Sequence, residues 1–233
     1  MIKKCIPNSI TCLNLLSGCL GIVYAFRGEL QYASLAILIA AIFDFFDGMI
    51  ARLLKVYSAI GKELDSLADM VSFGLLPAVI VYQLFLKAPQ INCLGSYFSF
   101  FAFLIAIFSA LRLAKFNVDT RQAENFIGLP TPANALLVAS LPMVLADGNA
   151  CLSSFILNPW LLLIFSLVMS ILLVIELPLL SLKFKNLKIA NNLLRYILIL
   201  SSLSLLLIFR FAAVPMIILT YILLSIIQFR FIK

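Results

Sequence analysis

Apolar residues run along this chain in long stretches, broken at intervals by short polar clusters. A helix of about 20 apolar residues crosses the roughly 30 Å hydrocarbon core of a bilayer. The breaks predict eight such spans, over about 9–27, 31–53, 65–86, 95–114, 131–146, 160–180, 192–209 and 212–229. Pro7 followed by Asn8 or Ser9 suits the start of the first helix, and Gly18 and Gly21 within it would let a neighbouring helix approach closely. Pro77 falls inside the third span and is expected to kink it, which membrane helices tolerate. The last two spans are rich in Leu and Ile, divide near Arg210, and carry no legible chemistry. The expected fold is all-α: a polytopic membrane helical bundle of about eight transmembrane helices, one domain over residues 1–233.

Composition agrees. The chain is 64% hydrophobic with a mean hydropathy of +1.15, far above the share in soluble domains. Histidine is absent from the sequence, which removes imidazole acid–base chemistry, histidine zinc sites and haem ligation. The five cysteines form no CxxC pair, and Cys5, Cys12 and Cys19, seven apart, read as buried small hydrophobes. Lys3 and Lys4 precede the first apolar run, yet no small-residue cleavage site closes it, so it reads as a retained span.

The net charge of +7 is unevenly placed. With eight spans, 14 of the 17 basic residues fall on one side, and Arg27, Lys87 and Arg210 on the other. The positive-inside rule puts the majority side and both termini in the cytoplasm, as expected of an integral cell (inner) membrane protein. That distribution accounts for the basic charge without a nucleic-acid partner.

The acidic residues point to chemistry. Asp44, Asp47, Asp65 and Asp69 are four of only ten in the chain, all within 26 residues at the ends of two apolar runs. On a helix, positions 44, 47, 48 and 51 share a face, and Gly61, Asp65, Ala68, Asp69 and Ser72 form a matching one. An Asp at mid-membrane costs roughly 2.5–3.5 kcal/mol on insertion scales, so four facing lipid would cost on the order of 10 kcal/mol. Divalent cations in a water-filled cavity would offset that cost, and carboxylate oxygens suit Mg²⁺, Mn²⁺ or Ca²⁺. A cation transporter would also use intramembrane carboxylates. Against it, these four gather at one membrane face and no polar path crosses the last four spans.

The pattern Asp44-x2-Asp47-Gly48-x2-Ala51-Arg52-x8-Gly61-x3-Asp65-x3-Asp69 resembles the signature of the CDP-alcohol phosphatidyltransferases at eight positions. The resemblance implies transfer of a phosphatidyl group from CDP-diacylglycerol to a small alcohol, with release of CMP. It implies that Asp44, Asp47, Asp65 and Asp69 hold one or two Mg²⁺ or Mn²⁺ ions and that Asp69 is also the general base. Asn8, Thr11, Asp47, Gly48, Ala51, Arg52, Gly61 and Asp65 would hold the CDP moiety. A homodimer and a membrane-lipid setting follow from the same resemblance. The unrelated phospholipase-D-like route needs paired histidines and is excluded.

Three further stretches resemble the phosphatidylserine synthase branch: Pro7-Asn8-x2-Thr11-x2-Asn14-Leu15-x2-Gly18, Asp65 to Ala78, and Phe126-x-Gly128-Leu129-Pro130-x-Pro132-Ala133. Asn134 departs from the last of these, where alanine is expected. The branch implies L-serine as acceptor, with Arg112 or Arg121 able to hold its carboxylate. The same arginines would serve the phosphate of glycerol 3-phosphate, and inositol is the other alternative acceptor.

Overall fold

Helix α1 (Ile2–Phe26) carries two stripes of seven-residue spacing, and they face opposite ways. Pro7, Thr11, Asn14, Gly18, Gly21 and Ala25 recur every three or four residues and are buried. Cys5, Cys12 and Cys19 lie on the other side and are exposed, a correction to their reading as buried. Among apolar neighbours, the helix turns its small and polar side chains toward its partners because only small residues let backbones meet. Helix α2 (Leu30–Leu53) answers with Ala33, Ala36, Ile37 and Ala40, and the same stripe continues into Asp44 and Asp47. The aspartates therefore point inward by helical register.

This is a computed structural model, which describes residues 2–56, 58–89, 95–118, 126–180 and 189–231. After α2 come α3 (Ala59–Asp69), a π-helical stretch (Met70–Leu75) and α4 (Leu76–Lys87). Pro77 lies in the first turn of α4 and lacks the N–H that would close an α-turn onto Phe73, so the irregularity falls just upstream of it. The expected kink is thus a π stretch starting one residue after Asp69. Short α5 (Gly95–Phe98) and a 3₁₀ turn (Ser99–Ala102) lead into α6 (Phe103–Val118). Next are α7 (Thr131–Ala146), α8 (Ala150–Ile156), α9 (Pro159–Val174), α10 (Ile189–Phe209), a 3₁₀ turn (Arg210–Ala212) and α11 (Ala213–Phe231).

Among the described residues the fold is all-helical apart from one two-residue antiparallel pair, β1 (Phe126–Ile127) with β2 (Pro178–Leu179). Beside it Gly128 has φ +76°, and an added Cβ would come within 2.9 Å of the Leu173 carbonyl oxygen. Only glycine fits there, so the Gly-Leu-Pro element seats the start of α7 against the end of α9. One core joins α1, α2, α4, α6 and α7 through Ile37, Phe73, Leu76, Ile80, Ile105 and Val138. A smaller one, with Leu129, Leu137, Met169, Leu179 and Ile218, binds α11 to α7 and α9.

Five helical stretches among the described residues are long and apolar enough to cross a membrane, or six if the bent pair α8–α9, angled at 60°, is one span. Eight was the expectation. Helix α7, at 16 residues, spans only about 24 Å at 1.5 Å per residue. Residues Asn192–Gln228 count as a single stretch of 37 although Arg210 (φ 49°) interrupts them.

Two glycines set how closely α1 can sit. A Cβ at Gly18 would lie 2.5 Å from Ser72 Oγ and 3.0 Å from Ser72 Cα, and one at Gly21 would strike Leu76 and Ala36. Gly18→Ala is expected to destabilise the purified protein by about 1–3 kcal/mol, despite alanine's better helix propensity. A melting temperature at or above wild type would contradict this account of the α1 contact.

Candidate functional site

Asp44 and Asp47 stand on one face of α2, three residues apart, and α3 brings Asp65 to meet them. One carboxylate oxygen from each of the three lies within 4.8 Å of the others. Helix α1 passes along both acidic helices and supplies the hydrogen bonds. Thr11 Oγ1 donates to Asp47 Oδ2 at 2.7 Å. Asn14 Nδ2 donates to Asp69 Oδ1 at 3.3 Å, and Ser72 Oγ donates back to the Asn14 carbonyl oxygen at 2.9 Å. Asp69 stands outside the group of three but within electrostatic reach of all of them.

Among the described residues no lysine or arginine forms an ion pair with the three carboxylates, and Asp65 Oδ1 is buried there without a hydrogen-bond partner. Like charges this close in a helical bundle repel one another, so the arrangement fits a hard cation. The donor set is oxygen only, as a divalent metal of the magnesium or calcium kind prefers.

The residues assigned to nucleotide binding divide in two. Gly48 is half-buried, and an added Cβ would meet only the flexible Arg52 Nη2, at 3.7 Å. Nothing in the chain itself requires glycine there. Arg52 is exposed, donates from Nε to the Gly48 carbonyl oxygen at 2.9 Å, and is thereby held over that open face; Ala51 is half-buried beside it. Gly61 has an internal reason. Its N–H donates to the capping Ser58 Oγ at 2.9 Å, and a Cβ would press to 3.0 Å from Asn8 Oδ1. Asn8 thus sits beside the start of α3, while Thr11 spends its hydroxyl on Asp47.

Arg112 is buried on α6, where it stands at the same end of the bundle. Its Nη1 donates to Thr131 Oγ1 at 3.1 Å, its guanidinium lies 5.7 Å from the Phe116 ring centre, and it is within electrostatic reach of Asp69 and Tyr221. Lys62 Nζ donates to the Asn117 carbonyl oxygen at 3.0 Å and Asn117 Nδ2 to Ser66 Oγ at 2.8 Å, tying the end of α6 to α3. Arg121 lies outside the described residues.

Sequence reasoning missed three contributors. Asn14 could have been found, because positions 8, 11 and 14 step along one face of α1. Thr131 gave no signal beyond its place in the Gly-Leu-Pro stretch. Tyr221 on α11 belongs to a span read as without chemistry; it donates to the Leu180 carbonyl oxygen at 3.1 Å and comes within reach of Arg112.

A family model described as CDP-alcohol phosphatidyltransferase matches residues 4–182. The chain belongs to the CDP-alcohol phosphatidyltransferase family. Among curated relatives, the archaetidylserine synthase of Methanothermobacter thermautotrophicus is 36% identical over 138 residues, 58% of this chain and 56% of that protein. The CDP-diacylglycerol–serine O-phosphatidyltransferase of Bacillus subtilis is 37% identical over 154 residues, 64% of this chain and 84% of that one. The protein of the same name from Helicobacter pylori strain J99 is 38% identical over 134 residues, 57% and 54%. The chain thus matches only about half the length of two of these three. Within this family-matched region lie all four aspartates, Arg112 and Thr131; Tyr221 lies beyond it.

Gly48→Ala separates a ligand's need from a helix's. The variant is expected to be as stable as wild type, or up to about 1 kcal/mol more so, because alanine favours helix. Its affinity for a CDP-containing ligand should fall at least about tenfold if that ligand occupies the open face. Unchanged affinity, by calorimetry on the purified protein, would show that Gly48 serves no ligand.

Proposed function

We propose that this chain is a CDP-diacylglycerol–serine O-phosphatidyltransferase, moving the phosphatidyl group from CDP-diacylglycerol to L-serine and releasing CMP. The observation that carries the reading is the meeting of α1, α2 and α3, which gathers Asp44, Asp47 and Asp65 beside Asp69, with Arg112 in reach. The names of the matched relatives favour serine over the other acceptors.

Asp44, Asp47, Asp65 and Asp69 would hold one or two Mg²⁺ or Mn²⁺ ions, which when bound neutralise the pyrophosphate and stabilise charge on the departing phosphate. Thr11 fixes the rotamer of Asp47, and Asn14 fixes that of Asp69. Gly48, Ala51 and Arg52 offer the open face to CDP, flanked by Asn8 and Gly61. Asp69 takes the proton from the serine hydroxyl as its oxygen forms the new bond to phosphorus and the bond to CMP breaks. Arg112 pairs with the serine carboxylate. A lipid donor and a soluble acceptor meet naturally at a membrane face.

Eight spans, both termini cytoplasmic and the site at the cytoplasmic face remain our reading of the topology. In its support, α10 and α11 pack on each other across the break at Arg210, so the stretch of 37 residues divides into two. At the bundle end away from the aspartates, Lys87 Nζ donates to the Gly28 carbonyl oxygen at 3.1 Å, joining two connections assigned to the outer side. Residues 1–233 form one domain on this reading, since Leu180 N–H donates to Ser225 Oγ on α11 at 3.0 Å. Assembly as a homodimer completes the proposal.

Three outcomes test it. Purified protein given CDP-diacylglycerol and Mn²⁺ is expected to make phospholipid from L-serine; product from glycerol 3-phosphate or inositol and none from serine would refute the acceptor. Asp69→Asn should keep CDP-diacylglycerol binding yet lose about 10²–10⁴ in turnover, and near-wild-type turnover would remove Asp69 as base. A cysteine placed at Ala150 in a cysteine-free background should react with an impermeant thiol reagent from outside intact cells, while labelling only after lysis would reverse the topology.

A further inference from the structure

Helix α11 is rich in Ile and Leu, yet Tyr221 and Ser225, one turn apart on the same face, both bond the Leu180 backbone. Ser225 Oγ accepts from the Leu180 N–H at 3.0 Å, and Tyr221 Oη donates to the Leu180 carbonyl oxygen at 3.1 Å. Leu180 is buried, and Ser225 satisfies a donor that would otherwise be unpaired there. Ser225 is thus explained by docking alone. Tyr221 has a second neighbour.

Tyr221 and Ala133 pack against the same small core, which contains Leu129 and Leu137. Residues 129 and 133 bracket Thr131, whose Oγ1 accepts from Arg112 Nη1 at 3.1 Å. Arg112 and Tyr221 are accordingly within electrostatic reach of each other. The arginine is buried, and its Nε has no hydrogen-bond partner among the described residues. A phenol has one hydrogen, and this one is given to Leu180, so toward the guanidinium Tyr221 offers only oxygen lone pairs. That is the polarity a buried cation needs.

A bidentate hold on a carboxylate depends on the plane of the guanidinium. Thr131 fixes one corner of that plane, and the Phe116 ring centre lies 5.7 Å from the guanidinium carbon. Rotation about the Thr131 contact is left to a third group. We infer that Tyr221 is a positioning residue, which orients Arg112 for the acceptor's carboxylate while Leu180 holds its own hydroxyl in place. Helix α11 thereby completes the acceptor side of the site from beyond the family-matched region. The inference rests on the serine reading of the function and on the assignment of Arg112 within it.

The test is steady-state kinetics of the full-length protein in mixed micelles with CDP-diacylglycerol and Mn²⁺. The variants are Tyr221→Phe, Ser225→Ala, Arg112→Lys, and Tyr221→Phe combined with Arg112→Lys. Tyr221→Phe should raise the KM for serine about tenfold while the KM for CDP-diacylglycerol stays within about twofold. Ser225→Ala removes the other tie to Leu180, so it should lower the melting temperature at least as much yet leave the serine KM within about twofold. In the Arg112→Lys background, Tyr221→Phe should raise the serine KM less than about twofold further, because the group it orients is already gone. An unchanged serine KM in Tyr221→Phe, or equal rises for both substrates, would overturn the inference. So would an equal serine effect from Ser225→Ala, full additivity with Arg112→Lys, or failure of Tyr221→Phe to fold, each of which would make the hydroxyl a structural tie. Wild type that makes no product from serine would fail the functional reading itself, and this inference with it, whatever the variants do.

Discussion

Everything at this site depends on keeping carboxylates together in a place that disfavours them. Three oxygens from Asp44, Asp47 and Asp65 converge within 4.8 Å, at the end of a bundle whose outer surface is apolar. Among the described residues, geometry rather than countercharge contains them. Helix α1 lies close enough to both acidic helices for Thr11 and Asn14 to donate to Asp47 and Asp69, and that closeness exists because residues 18 and 21 are glycine. A larger residue in that stripe would lift α1 away and take the donors with it. The small-residue stripe and the polar site are one device, half for contact and half for chemistry.

The same economy governs the second half of the site. Gly128 permits the β1–β2 contact, which fixes where α7 begins, and α7 begins with the threonine that receives Arg112. The π stretch after Asp69 lies between that carboxylate and the apolar core of α4. The carboxyl-terminal helix, outside the family-matched region, closes this side with Tyr221 and Ser225 on the Leu180 backbone.

Much of this was legible in the sequence. The helical class, the inward register of Asp44 and Asp47, the role of Gly18 and the distortion near Pro77 all follow from spacing and residue type. The meeting of α1 with α3 was not legible, because residues 14 and 69 are 55 apart and no local pattern encodes their contact. The cysteine stripe misled, since a seven-residue repeat marks a face without saying which face is inward. Span counting also ran ahead of the structure, where α7 is short and α8–α9 bends. Gly61 shows the opposite lesson: a glycine matching a ligand motif is also needed by the fold itself, against Asn8 and Ser58.

The central claim is that the clustered carboxylates run a metal-assisted phosphatidyl transfer to serine. Its most direct test measures CMP released and phosphatidylserine formed together, in purified protein stripped of divalent ions and then titrated with Mn²⁺ or Mg²⁺. The account predicts negligible turnover in the stripped protein, recovery on adding metal, and one CMP for each phosphatidylserine, all abolished by Asp44→Asn. Full transfer after stripping, or CMP release with no phospholipid product, would contradict it.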